Sequence, residues 1–469
     1  MRKFMLIVAM FAILASEGIA QDNTTTLEPK QIKRGSRSLD SIKQRFKEKR
    51  ENPASKRGIE GFEEAVKNPK GITNISLNSQ KLTQLPINIK NLKELERLDL
   101  TKNELTDLPA ELASLENLKS LKLSSNKLIK IPDVIFKIKS LEVLDLSDNK
   151  INIIPKELAN LTNLKKLILD KNEVKKIDVD FSKMGELIEI SLKNNEIGEF
   201  FESLTTAVSL KNLDLSNNKI KAISPKISQM KDLTNLELQN NLINVLKDDF
   251  GKLANLKMFN ISKNPIDTIK DGFCNLQSLQ KLDISETSLT QLPKNISKLQ
   301  GLQSLRLDNV KFKSFPSELF ELVRLTELYL DNNNFSEIPE SIAKLTQLKT
   351  LVIKDNNLSK FPAGLNKIEN LRTLDLSGNK ITTFDPNIVN AVNLISLNLN
   401  KNSITKLPED ISKLQDLRML YLDNNKIEKL PVSIKDMKGL KVIMIRDNPI
   451  SDAEKTNLKN TLKGVRMIF

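Results

Sequence analysis

The sequence has no histidine and no tryptophan, only two tyrosines, and a single cysteine, Cys274. Without histidine, Ser-His-Asp and Cys-His nucleophilic catalysis, imidazole general bases and histidine-held metals are all excluded. One cysteine permits neither an internal disulfide framework nor a cysteine-based zinc site, and Cys274 itself is expected to be a small structural filler. Carboxylate or lysine chemistry survives these exclusions, but no motif asks for it. An enzyme is therefore not expected, nor any cofactor or metal. With aromatics at 4% of 469 residues, a core of the size this length allows has to be aliphatic.

Long apolar runs are also scarce. The one at the start, Phe4–Ala15, follows Arg2 and Lys3 and precedes the small residues Gly18 and Ala20. It is too short to span roughly 30 Å of hydrocarbon. It reads as a secretory signal peptide over residues 1–20, so the chain is expected to be exported to the periplasm, the cell surface or the medium, with no transmembrane span in the mature protein.

The net charge of +14 is uneven: residues 21–57 hold eleven Lys/Arg against five Asp/Glu. That segment is expected to be a basic flexible stretch, with at most a weak anionic-surface contact over residues 30–57. The remaining body is only mildly basic and lacks a basic face studded with aromatics, which argues against nucleic acid.

What fills the rest is a repeat. "LERLDLTKNELTDLP" (95–109), "LKSLKLSSNKLIKIP" (118–132) and "LEVLDLSDNKINIIP" (141–155) align without a gap. The unit is LxxLxLxxNxLxxLPxxIxxLxx, with a period of 23 and seventeen copies over residues 72–462. In the LxLxx half, apolar residues alternate with the period of a strand. One such strand cannot bury its apolar side alone, so neighbours must stack into a parallel sheet over a continuous core. The Asn recurs from Asn103 to Asn448 and is suited to hydrogen-bond backbone groups of adjacent turns. The LPxxIxxLxx half spaces its apolar residues by three or four and predicts a short helical or 3₁₀ segment on the opposite side. Thr287 and Val310 break the Asn column, which marks residues 283–312 as a joint or a tolerated defect.

This pattern resembles the leucine-rich repeat family over residues 72–469, and the 23-residue unit is similar to Ras-suppressor-type repeats. The absence of cysteine-clustered caps favours an exported bacterial member. The resemblance implies an α/β solenoid, a horseshoe with a parallel β-sheet on its concave face and short helical or 3₁₀ segments on its convex face. A capping helix is expected within residues 58–71, and a capping strand at 463–469 after a helix opened by Ser451 and Glu454.

If positions 1, 4, 6 and 9 of the unit face inward, positions 3, 5, 7 and 8 face the concave surface. Both tyrosines, Tyr329 and Tyr421, fall in the position-5 column. Met419, Tyr421, Val442 and Met444 then form an apolar patch across the last two repeats, with Val352 beside Tyr329. Asp331 and Asp423 are expected as a polar rim. Arrays of this family usually bind other proteins, so these eight residues are the expected contacts of a non-enzymatic, protein-binding solenoid with a rigid concave surface. The alternative is a structural envelope or matrix protein attached to an anionic surface through its basic N-terminal segment.

Overall fold

The computed structural model describes residues 55–310, 312 and 314–469. The expected signal peptide and nearly all of the basic segment lie outside the described residues. Each repeat contributes a three-residue strand with a buried centre, as in Arg97–Asp99, where Leu98 points into the core. Consecutive repeat strands pair in parallel with a register offset of 23: Arg97 sits opposite Ser120, Leu98 opposite Leu121 and Asp99 opposite Lys122. The same register runs unbroken to Val442–Met444. With one strand added at each end, the sheet has nineteen strands among the described residues, seventeen of them from the repeats. Its core is built from Leu and Ile of both halves of the unit, with Phe250 stacked on Phe259 at 5.5 Å and Phe273 tilted against Phe259 at 5.9 Å between centroids.

Three devices turn each coil. The first is a left-handed residue at position 8, from Ser79 and Lys102 through Asn424 and Asp447, with φ between 53° and 58° for the non-glycine members. Asn is frequent here because its short polar side chain tolerates this region. At Gly378, φ is 68° and a Cβ would meet the Asp355 carboxylate, so a larger residue there would make the Asp355 side chain turn away.

The second device is the asparagine ladder. Asn103 Nδ2 donates to the carbonyl of Leu100 in its own coil and of Leu77 in the coil before, both at 2.8 Å, and its Oδ1 accepts the Leu82 N–H at 3.0 Å. One side chain thus satisfies three buried backbone groups on two coils, which is why the column repeats.

The third device is the 3₁₀ turn on the far side. In Ala110–Ser114, Pro109 precedes the turn with φ −70° and its carbonyl accepts the Leu112 N–H at 3.1 Å. At three turns that lack the proline, Asp180, Ser224 and Asp385 cap with a side-chain oxygen instead, whereas the turns after Phe201, Lys247 and Lys270 have no side-chain cap. Two further pairs of short parallel strands form on this side, Ile153–Ile154 with Lys176–Ile177 and Val245–Leu246 with Thr268–Ile269.

At the broken rungs, Thr287 keeps only the intracoil bond, Oγ1 to the Ile284 carbonyl at 2.9 Å. Val310 offers no side-chain partner, but its N–H donates to Asn333 Oδ1 at 2.7 Å. Strand register is unchanged across Asp283, Arg306 and Tyr329, and Phe312 and Phe315 pack on Phe335 nearby. The strand register therefore continues through the interrupted ladder without a break.

At the ends, a helix at Gly58–Lys67 buries Phe62 and Ala65. The sheet begins earlier than the composition suggests: Ser55–Arg57, inside the segment read as a flexible stretch, is a strand paired with Asn74–Ser76. Gly58, at φ 69°, turns that strand directly into the helix. At the other end, Ser451 caps a helix at Asp452–Thr461, and Arg466–Ile468 pairs beside Val442–Met444. No helix among the described residues is long and apolar enough to cross a membrane.

Candidate functional site

Within each strand it is the first and last residues, positions 3 and 5, whose side chains lie across the open face of the sheet. Position 7 lies at the bend, where its N–H needs an acceptor. The structure meets that need in two ways. In one, an Asp or Asn at the strand end of the same repeat accepts it: Asp145 takes the Ser147 N–H at 3.0 Å, Asp375 takes that of Ser377 at 2.9 Å, and Asn398 that of Asn400 at 3.1 Å. In the other, the acceptor is the position-7 side chain of the preceding repeat. Asp308 takes the Asp331 N–H at 3.0 Å, and Asp331 that of Lys354 at 3.0 Å. Asn400 takes that of Asp423 at 2.7 Å, and Asp423 that of Arg446 at 2.8 Å.

The second arrangement releases the strand-end residue from backbone duty. It serves the repeats of Tyr329, Val352, Tyr421 and Met444, and also those of Ser191 and Arg306, where Asp170 takes the Lys193 N–H at 3.0 Å and Ser285 Oγ that of Asp308 at 3.2 Å. Tyr329 and Val352 precede the N–H groups taken by Asp308 and Asp331, while Tyr421 and Met444 precede those taken by Asn400 and Asp423. Asp331 and Asp423 accordingly do not form an exposed rim as expected. They are 7% and 4% exposed, because their carboxylates reach sideways to the next coil. Asp423 Oδ2 also holds Arg446 through Nε at 3.0 Å and Nη2 at 2.6 Å. Asp331 Oδ2 holds Lys354 Nζ at 3.1 Å, yet burial and the neighbouring Asp308 push its carboxyl up to about 6.

The six remaining residues form two groups. Met419, Tyr421, Val442 and Met444 lie on adjacent paired strands, all half-buried, with the Tyr421 hydroxyl 3.3 Å from the Met419 sulfur. The terminal strand does not cover this patch. It continues the sheet and sets Ile468 opposite Met444, a residue that the repeat pattern could not place because it lies beyond the last unit. Tyr329 and Val352 are neighbours one strand apart, and Arg306 stacks on the Tyr329 ring with its guanidinium 4.1 Å from the centroid. Arg306 also pairs with Asp308 at 3.0 Å. Burial raises the hydroxyl pKa of both tyrosines, so they remain neutral hydrogen-bonding groups near neutral pH.

A family model described as a leucine-rich repeat region matches residues 74–194 and 271–385, just over half the chain. The chain belongs to the leucine-rich repeat family. A second leucine-rich repeat model matches residues 208–266, 231–289 and 369–427. A leucine-rich repeat protein of Leptospira interrogans is similar in structure, with a TM-score of 0.74 at 30% identity, covering 87% of this chain and 98% of that one. The ectodomain of the Arabidopsis receptor kinase HAESA, solved with an N-terminally extended IDA peptide hormone, has a TM-score of 0.55 at 27% identity over 81% of this chain and 71% of that one. The functional domain of InlJ from Listeria monocytogenes gives 0.61 at 22% over 81% and 75%, which speaks to the fold alone. No curated protein matches the sequence.

Proposed function

We propose that this protein is an exported, non-enzymatic solenoid of Ras-suppressor-like repeats that docks another protein or a peptide on its concave face. The principal contact is the Met419, Tyr421, Val442 and Met444 patch, extended by Ile468, and the second is Tyr329 with Val352. One observation carries the reading: in the four repeats ending in Tyr329, Val352, Tyr421 and Met444 the preceding coil supplies the backbone acceptor, which leaves these apolar and aromatic side chains to the open face. A scaffold alone gives no reason for Tyr or Met at those places. Apolar groups held half-exposed on a rigid sheet lose little side-chain freedom on binding, which favours affinity, and tyrosine adds a large flat face with a polar end. The peptide-bound HAESA neighbour supports the class of ligand. Export rests on the charged, apolar and small-residue order of residues 1–20.

The test is capture of partners by the mature chain from envelope and secreted fractions, followed by affinity measurement with Tyr421→Ala. The variant should melt like the parent and bind ~1–3 kcal/mol more weakly. Unchanged affinity would remove the patch from the interface.

A further inference from the structure

At the other end of the sheet the concave face is built differently. A cavity of about 500 Å³ lies over the first four strands, lined by Arg57, Arg97 and Lys122. Register explains the convergence. Arg57, Ser76, Asp99 and Lys122 succeed one another along one row, and Asn74, Arg97 and Ser120 along the next. Arg97 therefore stands between the other two cations, one row over. The non-repeat strand Ser55–Arg57 completes the cavity; without it the Arg57 wall would be missing.

The charge here is not neutralised as it is at several other places on this face. On the same face, Lys166 pairs with Glu189 at 2.6 Å, Lys354 with Asp331 at 3.1 Å and Arg446 with Asp423 at 2.6 Å. Among the described residues, Arg57, Arg97 and Lys122 make no ion pair. Arg97 Nη1 donates to Asn74 Oδ1 at 3.1 Å. The one carboxylate in the lining, Asp99, already accepts the Thr101 N–H at 3.0 Å. Three cations against one carboxylate, around a concave space walled by Ser76, Asn78 and Gln80, call for a hydrogen-bonding anion.

We propose that this cavity is an oxyanion subsite, which takes a phosphate, sulfate or carboxylate group carried by a polar ligand. Guanidinium forks suit the planar or tetrahedral oxygens of such groups, and Lys122 adds a point charge. The amide and hydroxyl walls suit the polar remainder of the ligand, since the volume exceeds that of a bare ion. This inference is independent of the docking reading: none of Tyr329, Val352, Met419 or Tyr421 lines the cavity.

The test is titration of the full chain with inorganic phosphate, sulfate and acetate at constant ionic strength, and with glucose 6-phosphate against glucose. Saturable binding of at least one oxyanion is expected, weakened about tenfold by Arg97→Gln and likewise by Lys122→Gln. Lys166→Gln, which breaks an ion pair on the same face, should leave it unchanged. Phosphate and sulfate binding without acetate would assign a phosphate or sulfate ester; acetate binding alone would assign a carboxylate. Absence of saturable binding, or equal weakening by all three variants, overturns the proposal. A matching thermal melt for each variant keeps loss of fold out of the reading.

Discussion

The repeats ending in Asp375 and Asn398 stand directly beside those ending in Tyr421 and Met444, on the same sheet and in the same register. All four must satisfy the same N–H two residues further on. The first pair does so with its own strand-end side chains, the second with Asn400 and Asp423 from the preceding coil. The difference teaches that Tyr421 and Met444 are left to the concave face because a side chain of the preceding coil has taken over the structural task that Asp375 and Asn398 perform for themselves. "LDLS" repeats look variable on the surface, but their Asp is tied to the backbone.

The largest effect expected in this comparison comes from the ladder that both kinds of repeat share. Asn379→Ala removes the donor to the Ile353 carbonyl, at 2.9 Å, and the acceptor of the Leu358 N–H, at 3.0 Å, both buried. Denaturant unfolding should show a loss of about 3 kcal/mol, since each orphaned buried group costs on the order of 1–3 kcal/mol. A loss within error of zero would mean that the ladder is not what holds adjacent coils.

The next prediction exchanges the two kinds of strand end. Asp375→Tyr should cost about 1 kcal/mol, because the preceding position-7 residue is Lys354, which cannot accept the Ser377 N–H. Tyr421→Asp should cost less, because Asn400 already serves the N–H of Asp423. Equal costs in chemical denaturation would break the distinction.

A third prediction uses pH on another strand-end residue, Glu237. Burial, then the neighbouring Asp214, pushes the Glu237 carboxyl from 4.5 up to about 7. The folded chain thus holds this proton more tightly than the unfolded one, so the contribution of Glu237 to stability falls as pH rises from 4.5 to about 7. Melting temperatures across that window should drop more for the parent than for Glu237→Gln. Parallel curves would show that the site does not titrate in this range.

Much of this was legible in the chain. The 23-residue period fixes the parallel register, because identical units can bury their leucines only by stacking in step, and the Asn column announces its own hydrogen bonds. The Asp331 and Asp423 carboxylates were misread as rim because a lateral bond to the next coil leaves no mark in linear sequence. Ser55–Arg57 was missed for a related reason: three polar residues carry no strand pattern, and only pairing with Asn74–Ser76 makes them one.

The sequence alone therefore determined the coil, the core and the spacing, since these follow from a local pattern repeated without insertion. Which concave side chains are free was decided only by the tertiary structure. For Tyr329, Val352, Tyr421 and Met444 that freedom depends on a hydrogen-bond acceptor about 23 residues away, one coil back, brought alongside by strands that lie roughly 4.8 Å apart.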